Sequence, residues 1–181
     1  MSRILILAMA SFVMMNFNVG FSQDSIHKIP LDPTFPETAF DFWVGKWEVT
    51  WDEGDGKQGK GVNRIAKILD EIVIHEDFRV LAGQNKGFKG TSISVYQSHL
   101  SRWKQAWADN QGGYYDFLGE IDGTDRIFKT KPTTINGKNV ISRMVFKNIK
   151  RDSFTWDWES TYDDGKSWKL LWRVNYKRIL L

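Results

Sequence analysis

The stretch Arg102-Trp103-Lys104-Gln105-Ala106-Trp107-Ala108-Asp109 sets a ring, an amide, a ring and a carboxylate at every second position. Residues two apart share a face of an extended strand, so Trp103, Gln105, Trp107 and Asp109 are expected to point the same way. Two indoles offer apolar area or stacking planes, and the amide and carboxylate beside them fix orientation. Such a face suits a partly polar small molecule. The competing reading is that Gln105 and Asp109 bond neighbouring strands or loop amides, because buried polar groups must be paired in either case. Glu76 is the second residue of interest. Ile72, Ile74 and Phe78 make its face apolar, so its carboxylate is expected to point inward, where desolvation raises a carboxyl pKa and suits an acid, a base or a ligand contact. The bland alternative is a Glu at a rim, paired with a basic residue.

Other chemistries find little support. His75, Glu76 and Asp77 are adjacent, but alternation leaves only His75 and Asp77 on a common face. No metal site is expected, and no cofactor. The absence of cysteine removes disulfides, thiolate metal sites and a lipid-attachment thiol. There is no Ser-His-Asp set, phosphate-binding Gly loop or HExxH. The formal net charge is +3, with charges alternating along the strand patterns and no Lys/Arg block, so nucleic acid is not an expected partner. Nothing in the sequence specifies an oligomeric state.

The elements that must hold these residues are strands. Lys46–Asp52, Gly61–Leu69, Ile72–Val80, Thr91–Tyr96 and Arg102–Asp109 are the first five expected; Tyr114–Ile121, Arg126–Thr130, Val140–Asn148, Phe154–Tyr162 and Trp168–Lys177 follow. Turn signals such as Gly54-Asp55-Gly56, Asp122-Gly123, Asn136-Gly137 and Asp164-Gly165 separate them. Pro36–Trp43 is the exception, a candidate for one or two helical turns with Pro36 near the first helical position. Regularly spaced strands with short links predict an all-β fold. It is an up-and-down antiparallel barrel of about ten strands that closes on itself and so leaves no sheet edge, with the short N-terminal helix at the closed end.

Period-two alternation assigns the faces. Phe154, Trp156 and Trp158 oppose Thr155, Asp157 and Glu159, while Trp168, Leu170, Trp172, Val174 and Tyr176 oppose Lys169, Leu171, Arg173, Asn175 and Lys177. The interior is therefore rich in large rings and wide enough for a cavity. The facing of Gly61–Leu69 stays open: Asn63 shares a side with Ile65, Lys67 and Leu69, and Val62, Ala66 and Ile68 share the other with Arg64.

The opening of the first strand is "FDFWVGKWEVTW", residues 40–51. Gly45-Lys46-Trp47 resembles the Gly-x-Trp signature of lipocalin-like (calycin) barrels, in which the Trp plugs the closed end under a basic residue from the last strand. That resemblance implies Trp47 as the plug and Arg178 as its lid through cation–π stacking. Trp47, Val49 and Trp51 would face inward together, with Phe40, Phe42 and Trp43 laid beneath and Gly45 at the sharp bend. "FDFWVGKWEV", "NRIAKIL", "RWKQAWADNQGG" and "DDGKSW…WRVNYKR" together resemble, in order and spacing, a large family of exported bacterial proteins of unknown function. The resemblance implies the barrel and no activity. Haem-binding calycin barrels use a late histidine, which has no counterpart after His99. Thr161 to Trp168 resembles the Asp-box pattern, S/T-x-D-x-G-x-S/T-W, a hairpin device of sialidases that does no chemistry. In that reading Asp163 accepts bonds from turn amides, Gly165 makes the turn, and Trp168 packs beneath; a propeller would need further copies.

At the N-terminus, Arg3, the apolar run Ile4–Val13 and small Gly20 and Ser22 predict a signal peptide over 1–22, cleaved before Gln23. Removing 22 of the 181 residues leaves 159, enough for one cored domain. A tail over 23–35 and a barrel domain over 36–181 are expected, with no membrane span after cleavage and a periplasmic or secreted location. The expected function is to bind an apolar or amphipathic small molecule inside the barrel. Trp51, Glu76, Trp103, Gln105, Trp107, Asp109, Trp156 and Trp158 are the expected contacts. The alternative is an enzyme that uses Glu76 and Asp109 as a carboxylate pair for hydrolysis or isomerisation; a third reading makes the interior mere core.

Overall fold

A computed structural model of the chain describes residues 36–180. The expected signal peptide (1–22) and tail (23–35) lie outside the described residues. Each expected strand pattern forms a strand: β1 (Gly45–Gly54), β2 (Lys57–Ile68), β3 (Val73–Ala82), β4 (Lys89–Gln97) and β5 (Arg102–Asp109). Then come β6 (Tyr114–Asp122), β7 (Asp125–Thr130), β8 (Thr133–Ile135), β9 (Lys138–Lys147), β10 (Ser153–Thr161) and β11 (Lys169–Arg178). Neighbours in sequence pair antiparallel from β1 to β7, β7 pairs β9, and β11 returns to β1. Pairing of β9 with β10 and of β10 with β11 completes a closed barrel of ten strands.

The strand that the sequence did not announce is β8. Asn136 (φ 50°) and Gly137 (φ 74°) form the expected tight turn, and that turn folds Thr133–Ile135 back onto the start of β9 as a hairpin outside the barrel. Both residues adopt positive φ, as primed hairpin turns require. Thr133–Ile135 is exposed throughout, so no apolar alternation marked it.

The predicted faces hold along most strands. Trp47, Val49 and Trp51 are buried together in β1, and Ile74, Glu76, Phe78 and Val80 in β3. The open question of β2 is decided by pairing. Asn63 lies opposite Trp47 on one side and Phe78 on the other, so Gly61, Asn63 and Ile65 face the interior. One expectation fails locally. Trp158 pairs Trp172 but Glu159 pairs Leu170, leaving Leu171 as an extra residue. This bulge breaks the alternation: Leu170 and Leu171 are both exposed, and Trp168 lies under Arg143 instead of sharing the face of Trp172.

One end of the barrel is plugged by the chain segment before β1. Pro36–Thr38 and Asp41–Trp43 form two short 3-10 turns that insert Phe40, Phe42 and Trp43, all essentially buried. Phe40 stacks on Phe128 at 4.4 Å between ring centres, and Trp47 meets Phe154 edge-on at 4.9 Å. The Trp47 indole donates to the Trp43 carbonyl at 2.8 Å. Arg178 caps this layer: its guanidinium carbon lies 4.0 Å from the Trp47 ring centre. It also donates to the carbonyls of Phe42, Val44 and Arg151 at 2.8–3.0 Å. Gly45 has φ 142° and a Cβ there would strike the Arg178 guanidinium, which is why the bend before Trp47 needs glycine. A second arginine anchors the same segment. Arg126, buried, donates to the Ala39 carbonyl at 3.1 Å.

Candidate functional site

Toward the other end the rings do not fill the interior, and a cavity of about 190 Å³ remains. An apolar cavity of about 150 Å³ holds a benzene molecule, so this one has room for a ring with a short substituent. Its floor is polar and buried, formed by Glu76 of β3 and Tyr176 of β11 among Phe78, Phe117, Met144 and Val174. Its walls are four indoles, Trp107, Trp156, Trp158 and Trp172. Asp109, Phe88 and the exposed Tyr115 stand at the rim.

The indoles are held by one another and by the sheet. Trp156 and Trp158 lie nearly parallel, 7° apart in plane with centres 6.3 Å apart. Trp172 meets Trp156 edge-on at 5.6 Å, and Tyr115 meets Trp158 edge-on at 5.7 Å. Trp107 lies flat across the backbone of Gly90 on β4, where any Cβ would strike its ring. Its indole N–H donates to Asp109 Oδ2 at 3.1 Å.

Glu76 is the buried centre of a four-residue network. Its Oε1 accepts from Asn63 Nδ2 at 2.7 Å and its Oε2 from the Ser92 hydroxyl at 2.6 Å. Asn63 Nδ2 also donates to the Tyr176 hydroxyl at 3.0 Å. Both partners of the carboxyl are neutral, so burial dominates and pushes Glu76 up to about 7, with the Ser92 and Asn63 bonds only moderating it. Burial likewise raises the Tyr176 phenol, which stays protonated. Asn63 Oδ1 is buried with no hydrogen-bond partner among the described residues, an open acceptor on the amide that links the two floor residues.

Asp109 behaves in the opposite way. Its Oδ1 accepts from the amides of Gln111 and Gly113, both at 2.9 Å. Burial would raise its pKa, but these turn amides and the Trp107 indole outweigh it, so Asp109 sits below the usual range. It is a rim carboxylate tied to its own loop.

The expected contacts therefore divide by height in the barrel. Glu76, Trp107, Asp109, Trp156 and Trp158 line one cavity. Trp103 lies instead in the plug layer, donating to the Pro36 carbonyl at 2.6 Å and meeting Phe40 edge-on. Gln105 is buried against β4, its amide donating to Ser94 at 2.9 Å. Trp51 packs behind Trp172 and donates to Glu53, off the cavity wall. Phe88, Tyr115, Met144 and Trp172 join the lining without having been singled out. The signal for Trp172 was present, since alternation had already placed it on the inner face.

The hairpin over 161–168 is tied by its own side chains. Asp163 accepts from the hydroxyls of Thr161 and Ser167, both at 2.6 Å, and from the Ser167 amide at 2.9 Å. Those bonds hold its pKa down at about 2. Gly165 turns with φ 90° and its amide donates to Thr161. Trp168 is half-buried beneath Arg143, 3.7 Å from the ring centre. On the outer face of β10, Asp157 and Glu159 pair with Arg173, Lys147 and Arg143, so these carboxylates are structural.

Among the described residues no group of three or more His, Cys, Asp or Glu is arranged to hold a metal, and no helix is long and apolar enough to cross a membrane. Compared with models of protein families the chain matches none, and a search of curated proteins finds no significant match.

Proposed function

We propose that this protein is an exported binding barrel that holds one small amphipathic molecule. The observation that carries the reading is the cavity of about 190 Å³ with indole walls and a buried polar floor. A ring or short aliphatic body gains by leaving water for those walls, on the order of 25 cal/mol per Å² of apolar area. Its polar end meets Glu76 and Tyr176. Export is supported by Arg3, the apolar run Ile4–Val13 and small Gly20 and Ser22, and the order of the four quoted stretches supports kinship with the exported lipocalin-like family. Protein recovered outside the cytoplasm with Gln23 as its first residue, by intact mass, is the expected result; retention of residues 1–22 would overturn export. Titrating the barrel with indole, benzyl alcohol and hexanol while following tryptophan emission tests the cavity. Saturable quenching is expected, and Val174→Phe, which puts a ring into the cavity, abolishes it with the fold intact. Silence with all three probes removes the reading.

A second reading rests on one observation: Glu76 and Asp109 line the same cavity while their surroundings push their protonation apart. A carboxyl near neutrality and an ionised carboxylate can serve as acid and base. Turnover of a panel of small esters and enolisable ketones, lost in both Glu76→Gln and Asp109→Asn, would establish it. Turnover that survives both substitutions excludes it.

A further inference from the structure

The cavity has a sign. Among the described residues that line it there are two carboxyl groups and no Lys, Arg or His. Elsewhere the barrel supplies its buried carboxylates with cations: Asp157 takes Arg173 and Lys147, and Glu159 takes Arg143 and Lys147. It likewise covers indole faces with guanidinium groups, Arg178 over Trp47 and Arg143 over Trp168. Glu76 and the four wall indoles have neither. The groups packed around Glu76 are the neutral Asn63 of β2, Ser92 of β4 and Tyr176 of β11, with the carboxylate of Asp77 next to it in β3. Asp109 adds a second negative charge at the rim.

We propose, resting on the binding reading above, that the ligand is an organic cation: a primary or quaternary amine carrying one ring or a short aliphatic chain. Its charge pairs with the Glu76 carboxylate and lies against the π faces of the Trp156, Trp158 and Trp172 group, which attract cations. A primary ammonium brings three N–H donors, and the Glu76 carboxylate and the Tyr176 oxygen, both on the cavity lining, can accept from it. Fatty acids and other anions are disfavoured by the same groups, since once Glu76 is ionised a carboxylate would meet it and Asp109 with no cation on the described lining to neutralise it. The protonation state of Glu76 follows the ligand. Free, its carboxyl half-titrates near neutrality because burial costs the charged form; an ammonium beside it restores the charge and releases the proton.

The test uses the mature protein and three probes of matched shape: 2-phenylethylamine, 2-phenylethanol and 3-phenylpropanoate, titrated calorimetrically at pH 6 and pH 8 in two buffers of different ionisation enthalpy. The amine is expected to bind at least ~10-fold tighter than the alcohol, the carboxylate weakest. Amine binding tightens from pH 6 to pH 8 and releases a proton at pH 6, whereas alcohol binding does neither. Glu76→Gln erases the preference for the amine, read as the ratio of amine to alcohol affinity in the same variant. Asp109→Asn, at the rim, narrows the preference by a smaller factor and serves if the first variant does not fold. Equal binding of amine and alcohol, or tighter binding of the carboxylate, overturns the cation assignment and leaves the binding barrel standing. Failure of all three probes overturns both.

Discussion

The two ends of this barrel are built from the same ring-rich strands and reach opposite outcomes. At the plugged end, Phe40, Phe42 and Trp43 are driven between the strands, and Arg178 lays its charge on Trp47 while bonding three carbonyls. At the cavity end, four indoles and two carboxyl groups stand around space, with no described cation among them. Aromatic content alone does not decide between plug and pocket. What decides is whether a chain segment enters the ring of strands and whether the charges there find partners within the chain.

The comparison breaks most sharply at Trp47. A fully buried indole in an interlocked ring layer leaves a large void when truncated, so Trp47→Ala is expected to cost about 3–5 kcal/mol. Urea unfolding followed by circular dichroism measures it. Trp156→Ala, on a wall already facing space and only half-buried, should cost distinctly less. Equal losses at the two positions would mean that the ends are packed alike.

Glu76 sharpens the contrast with the opposite sign. Its carboxyl is raised from 4.5 to about 7, so between those values the folded chain holds a proton that the unfolded chain has released. Stability is therefore greatest below about pH 4.5 from this group and falls as pH rises through 7. The full difference approaches about 3 kcal/mol as an upper figure, from the free-energy equivalent of each pKa unit. Glu76→Gln is expected to raise the melting temperature at pH 8 and to leave it nearly unchanged at pH 4.5. A variant less stable at pH 8 would show that the ionised carboxylate is already well compensated.

This division was only partly legible in the sequence. Alternation of side chains is a local property, so the strands and the inward faces of β1, β10 and most of β11 could be read off directly, whereas the Gly45–Trp47–Arg178 closure was implied by the resemblance of Gly45-Lys46-Trp47 to the calycin signature. Height in the barrel is not local. Trp103 and Trp107 share one face of one strand, yet the first lies in the plug and the second on the cavity wall, because register and strand tilt set depth. Gln105 had an equally silent partner in Ser94, which only the pairing of β4 with β5 brings opposite it. Trp51 sits beside the cavity instead of on it, because it packs edge-on against Trp172, which forms the wall there. The bulge at Leu171 left no signal in a stretch whose alternation reads without a break.

Arg178 tests whether the plug depends on its cation. Arg178→Gln removes the stacked guanidinium and most of its bonds to the Phe42, Val44 and Arg151 carbonyls. Hydrogen bonds to charged groups contribute about 1.5–3 kcal/mol each, but exposed carbonyls regain water, so a net loss of about 2 kcal/mol is expected in urea unfolding. A loss below that expected for Arg143→Gln would remove Arg178 as the lid.

Arg143 gives the smallest expected effect and the cleanest control. Its guanidinium lies over Trp168 at 3.7 Å, a geometry matching that of Arg178 over Trp47. Its second role is an ion pair with Glu159 at 2.7 Å. Lys147 bonds the same carboxylate at 3.0 Å, so removing Arg143 does not strand a buried charge. What is lost is one partly exposed stack and half of a shared pair, about 1 kcal/mol. Arg143→Gln should therefore shift the unfolding midpoint slightly, and the shift should shrink in high salt, which screens partly exposed charges. The loss at Arg178 should shrink less in salt, because three of its partners are backbone carbonyls and a fourth is the Trp47 ring, and only its 3.6 Å ion pair with the exposed Asp152 is open to screening. If both losses fade equally with salt, the carbonyl bonds of Arg178 are not what seals the end at Trp47.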